Sequence, residues 1–212
     1  FPVESTEASM YSEDIGYLRL HQLHHGTPAQ ARKELEVLVA TGANSFILDL
    51  RDCAGGDLEA ARAVADLFLG EDTVVAHVDE PGLGTEDLLT EQPARFTETL
   101  AVLINGWTLG SAEIVAAALK EHDRGFLIGE PTMGKSTTET LVNLGHTVVL
   151  RLESVRVSGP MGKSWEGKGV SPDQPIWSTA RQRSVVPGSE GDLQLQTAVH
   201  YLETDALPKK KP

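Results

Sequence analysis

The sequence predicts an α/β fold with a substantially parallel sheet. Three observations predict it. Short apolar runs, Phe46 to Leu50 and Ala101 to Ile104, read as buried strands. Segments with apolar residues at helical spacing follow them. Each strand-to-helix junction is a glycine-bearing turn, Arg51 to Gly56 and Asn105 to Gly110. Strands that alternate with helices in this way favour parallel pairing, because each crossover must return over the sheet.

The elements follow in order. Phe1 to Asp14 is polar and reads as a linker or an edge strand. Ile15 to Leu20 alternates like a half-buried strand. Thr27-Pro28 opens a helix, with Thr27 as cap, Pro28 in the first turn and Gln30 completing a capping box. Gly42 closes that helix. After the strand at Phe46 to Leu50, a helix carries Leu58, Ala61, Val64, Ala65 and Phe68 and stops at Gly70. Asp72 to His77 reads as a strand. Glu80 to Pro93 lacks periodicity and reads as a surface loop. The strand at Ala101 to Ile104 leads to a helix at Ser111 to Leu119. Phe126 to Ile128 is a short strand, followed by a turn that ends at Lys135. Thr147 to Leu152 and Glu153 to Val157 read as strands, Gly159 to Pro172 as a glycine-rich loop, and Gly191 to Leu202 as a closing helix.

Composition narrows the function. With 212 residues and a 40% apolar fraction, the chain suffices for one core. A net charge of -13 argues against nucleic acid or an anionic membrane as partner. Lys209 to Lys211 is the one basic run and reads as a tail. No apolar run approaches the ~20 residues that span a bilayer. Cys53 is the sole cysteine, so an internal disulfide is impossible. The chain starts at Phe1, which suggests a processed product or an excised domain.

Ligands on parallel sheets bind beyond the carboxyl ends of the strands. The turns after Leu50, Ile104 and Ile128 lie at such ends, so Gly55-Gly56, Gly110-Ser111 and Lys135 are expected to converge. Ser111 with Lys135 is the sharpest pair, a hydroxyl that needs a base and an amine that serves as one when desolvated. The Gly55-Gly56 amides would then stabilise an oxyanion. The structural alternative is that Ser111 caps its helix and Lys135 pairs with a carboxylate. Gly129 to Ser136 also matches the phosphate-loop pattern, which makes a nucleotide-binding protein a remote alternative, since the motif must open a long helix. His21, His24 and His25 lack the helical spacing of a zinc site, and Cys53 reads as a buried turn residue.

These segments resemble the core domain of the C-terminal processing peptidases, also called tail-specific proteases. IGYLRL (15–20), FILDLRDCAGG (46–56), LINGWTLGSAEIVAAAL (103–119), IGEPTMGKS (128–136) and GKGVSPD (167–173) are similar to five family segments in the same order. The resemblance implies a crotonase/ClpP-like α/β core over 15–203, a largely parallel sheet flanked by helices, and a 204–212 tail. It implies that 1–14 follows a PDZ domain that this chain does not contain. It further implies an extracytoplasmic serine peptidase with a Ser-Lys dyad, no metal and no cofactor. The expected partner is an extended polypeptide engaged near its C-terminus, without nucleic acid or membrane insertion.

Carried over position by position, Lys135 matches the family lysine, and Gly55 or Gly56 an oxyanion-hole amide, with the Ser111 amide beside it. The nucleophile position falls on Gly110. Lys135 lies 25 residues after Gly110, the family spacing, and 24 after Ser111. Neighbouring residues at a helix start point ~100° apart, so Ser111 should aim away from the amine. Glu139 stands where the family usually has glutamine, and a carboxylate there would favour a charged lysine. The expectation is a polypeptide-binding core without efficient cleavage; the alternative is an active enzyme with a shifted Ser111–Lys135 dyad.

Overall fold

The computed structural model describes residues 5–80, 82–145, 148–177 and 191–204, with side chains described outside 138–154. A six-stranded sheet runs in the order β1 (Thr6–Met10), β2 (Ile15–Leu20), β3 (Ser45–Asp49), β6 (Thr99–Ile104), β7 (Phe126–Gly129), β10 (Gln174–Pro175). Every pairing from β2 to β10 is parallel, and only β1 is antiparallel to its neighbour. The mixed α/β architecture with a mostly parallel sheet is the one expected.

Helices cover both faces, which is why the central strands read as unbroken apolar runs. Phe46, Leu48, Val102 and Ile104 face a core shared with α1 (Thr27–Thr41), α2 (Leu58–Ala65) and α3 (Ser111–Glu121). Ile47, Ala101 and Leu103 face the opposite way, onto Leu195, Ala198 and Val199 of α4 (Leu193–Thr204). A buried polar knot ties α4 to the sheet. Arg51 donates to Asp49 (2.6 Å), to Asp192 (2.8 Å) and to the Gln194 side-chain oxygen (3.1 Å), while the Tyr17 hydroxyl donates to Asp49 (2.6 Å). Burial against the Asp49 charge pushes the Tyr17 hydroxyl well up, so it stays protonated.

Four expectations need correction. The stretch from 80 to 93 is not a loop throughout. β4 (Val74–Glu80) and β5 (Gly84–Leu89) form a hairpin, and β5 lacks alternation because both of its faces are largely exposed. The strands expected at 147–152 and 153–157 are one strand, β9 (Val148–Ser158), whose partner β8 (Thr137–Gly145) begins just after Lys135. These four strands make a second, antiparallel sheet, β5-β4-β9-β8. Thr27 does not cap α1. Gly26 holds that position, and the Thr27 hydroxyl instead donates to the Gln22 carbonyl and accepts from the His24 amide. Finally, α2 ends at Ala65, and Phe68 lies in the turn beyond it.

Candidate active site

α3 follows β6 across the turn 105–110, and its first turn forms one wall of a pocket of about 340 Å³. Gly56, Gly110, Ser111 and Lys135 all line it, while Gly55 is not among its lining residues. Leu58, Ile114, Val157 and Trp165 supply apolar walls. Trp165 is nearly fully buried.

Gly110 is the N-cap of α3, with φ 61° and ψ -125°. A side chain is strained in that conformation. Space is not the obstacle, because a Cβ at Gly110 would meet nothing within 4 Å. Ser111 is the first helical residue. Its hydroxyl lies 3.2 Å from where a Gly55 Cβ would sit, and it is buried without a hydrogen-bond partner among the described residues. Ser111 therefore neither caps α3 nor hydrogen-bonds the Lys135 amine.

Gly55 and Gly56 bring the 51–56 turn against two neighbours. A Cβ on Gly56 would fall inside the Leu23 carbonyl, and one on Gly55 would strike the Leu109 carbonyl and lie 2.9 Å from the Ser111 amide nitrogen. Only glycine permits both approaches. The adjoining Cys53 thiol is fully buried and pushed up to about 11, chiefly by that burial, so it is inert at neutral pH.

Lys135 is exposed, on a loop that Glu113 holds in place. The Glu113 carboxylate is fully buried. It accepts from the amides of Gly110 (3.0 Å), Gly134 (2.7 Å) and Lys135 (2.8 Å) and from the Thr132 hydroxyl (2.5 Å). One side chain thus ties the start of α3 to the lysine loop. Burial raises its pKa, and the four donated hydrogen bonds oppose that rise. On the other side, Glu166 accepts from the Ser136 amide (2.7 Å) and hydroxyl (2.7 Å). Glu113, Trp165 and Glu166 were not among the expected site residues. For Glu113 a signal existed, since a glutamate three residues after an N-cap reaches back to the cap's amide. The Glu139 side chain lies outside the described residues; its backbone is in β8, opposite Glu153.

The rival motifs are placed elsewhere or lack their context. After Ser136 the chain enters β8 and not a helix, so the phosphate-loop motif has no helix N-terminus to present. His24 accepts the Gly26 amide through Nδ1, and His21 approaches Glu7 at 3.7 Å. No cluster that could hold a metal occurs among the described residues.

Fold and pocket together define a class. This is a mixed α/β scaffold in which Lys135, Gly56 and the first turn of α3 line one pocket beyond the carboxyl ends of a mostly parallel sheet. Peptidase family S41 matches residues 14–176, and the chain belongs to that family, among the C-terminal processing peptidases. It is 32% identical over 193 residues to a carboxyl-terminal-processing protease of Picosynechococcus sp., covering 91% of this chain and 46% of that one. It is 35% identical over 171 residues to a carboxy-terminal-processing protease of Bartonella bacilliformis, covering 76% and 38% respectively. The chain thus spans less than half the length of these relatives. Among solved structures, the photosystem II D1 C-terminal processing protease superposes with a TM-score of 0.74 at 24% identity, over 97% of this chain and 54% of that one. A lipoprotein from Streptococcus agalactiae gives 0.71 at 19%, over 96% and 71%. Both likenesses speak to the fold.

Proposed function

We propose that this chain is a C-terminal processing peptidase core that binds extended polypeptide but cleaves it poorly or not at all. One observation carries the reading. The backbone at Gly110 opens into the pocket that Lys135 lines, yet it bears no hydroxyl, and the neighbouring Ser111 hydroxyl is buried against Gly55. Nucleophilic catalysis needs the attacking atom within reach of its base, and position 110, beside Lys135 in the pocket lining, carries no hydroxyl to attack with. Polypeptide is the proposed ligand, engaged near its C-terminus, since pocket and edge strands suit an extended chain. The proposed setting is extracytoplasmic, the periplasm or cell envelope, in keeping with membership of the processing peptidases. No described helix is long and apolar enough to cross a membrane.

The second reading, a Ser111–Lys135 dyad, has one point in its favour. Ser111 forms no hydrogen bond where it stands, so turning it toward the amine would break none. A casein-degradation assay separates the two. The first predicts no turnover by the parent chain, none by Ser111→Ala, and measurable turnover by Gly110→Ser. Turnover by the parent that Ser111→Ala abolishes would establish the second. Binding is read separately, by fluorescence anisotropy of a labelled peptide with a free C-terminus.

A further inference from the structure

The turn Gly159–Lys163 is held in place at two points. The Met161 amide donates to Glu121 at the end of α3 (2.7 Å). The Pro160 carbonyl lies 3.0 Å from Nε2 of His77 on β4. The other ring nitrogen of His77, Nδ1, lies 2.6 Å from the Asp87 carboxylate on β5. A carboxylate and a carbonyl only accept, so each ring nitrogen must donate for both contacts to be hydrogen bonds. Only the imidazolium has two N–H groups.

Downstream, the same segment builds the pocket. Trp165 forms one wall, Glu166 holds Ser136 next to Lys135, and the Gly167 amide donates to the Gly134 carbonyl (2.8 Å). We propose that His77 is a proton-operated latch on the segment 159–169, closed when the ring is doubly protonated and loosened when it is neutral, so that proton concentration sets the order of the wall beside Lys135. The proposal does not depend on whether position 110 can act as a nucleophile.

The surrounding charges favour the doubly protonated ring. Asp87 faces the ring from β5, and Glu121 from α3. Asp79 lies two residues along β4, in register with Arg156 of β9, and Lys163 closes the turn itself. The residue opposite His77 on β9 is the neutral Ser158. The hydrogen bond to Asp87, then the bond to Pro160, raise the His77 pKa above its ordinary 6.5.

Trp165 reports on the segment. Trp107 and Trp177 are exposed, so a Trp107→Phe/Trp177→Phe chain leaves the buried Trp165 as sole tryptophan, excited selectively at the red edge where tyrosine does not absorb. Acrylamide quenching is then measured from pH 5.5 to 9. Loss of one charge-assisted bond should shift the closed-to-open ratio about tenfold. The expected result is weak quenching at low pH that rises with a single midpoint above 6.5. With His77→Gln the quenching should be independent of pH, and with Asp87→Asn the midpoint should fall. A flat profile in the parent, a profile that survives His77→Gln, or an unmoved midpoint in Asp87→Asn would each overturn the latch.

Discussion

Replacing Glu113 by glutamine tests whether one carboxylate sets the geometry of the whole site. Its two oxygens divide the work. Oε1 accepts from Thr132 and Gly134, and Oε2 from Gly110 and Lys135. A carboxamide keeps the shape but turns one oxygen into a donor. If the NH2 replaces Oε2, it opposes two backbone amides. If it replaces Oε1, it opposes the Gly134 amide and can only be relieved by the Thr132 hydroxyl, which already accepts from Val170 (2.7 Å). The cheaper orientation therefore leaves at least one buried N–H without an acceptor, at ~1–3 kcal/mol, and removes the charge from the remaining bonds. The expected loss is about 2–4 kcal/mol for Glu113→Gln and about 3–5 kcal/mol for Glu113→Ala. Urea unfolding followed by far-UV circular dichroism measures both, with the slope against denaturant unchanged. Amide exchange adds locality, since Gly110, Gly134 and Lys135 should exchange faster in the glutamine variant while the amides of α4 do not. A Glu113→Gln chain within about 0.5 kcal/mol of the parent, the usual range for a surface substitution, would refute the reasoning.

Other perturbations give sharper contrasts. Arg51→Ala strands Asp49 and Asp192 in a buried setting and should cost about 3–5 kcal/mol by the same unfolding assay, with α4 losing exchange protection first. Gly110→Ala should fold with a penalty of ~1–3 kcal/mol from backbone strain alone, whereas Gly56→Ala drives a Cβ into the Leu23 carbonyl and should abolish the soluble fold; equal melting temperatures for the two would contradict this. Cys53 should resist a thiol reagent at pH 8 in the native chain and react at once in denaturant. Because the folded pKa of His77 is raised, its stabilisation is complete below about 6.5 and disappears as pH climbs through the folded value. The melting temperature of His77→Gln should accordingly fall below the parent's at pH 6 and match it at pH 9.

How far the chain could be read varies by element for physical reasons. β3 and β6 are apolar at nearly every position because helices cover both of their faces, so their runs stand out. β5 carries no such mark, since it pairs with β4 alone and faces solvent. Thr27 does not cap α1 because its hydroxyl has competing partners, among them Ser5, 22 residues earlier and just before β1 (2.9 Å). In the site, Lys135 and the glycine pairs were legible as motifs at strand ends. Trp165 and Glu166 were not, since the loop that carries them reaches the lysine only through tertiary contacts.

By itself the sequence determined the α/β class, the order of the central strands' segments and the absence of a hydroxyl at position 110, because apolar coverage and local turn chemistry are written residue by residue. Only the tertiary structure decided that the Ser111 hydroxyl is buried without a hydrogen bond, that Glu113 gathers amides from three separate positions, and that a histidine on the second sheet reaches the segment that walls the pocket beside Lys135. Those outcomes depend on side chains brought together from distant parts of the chain, and no local pattern encodes a direction in space.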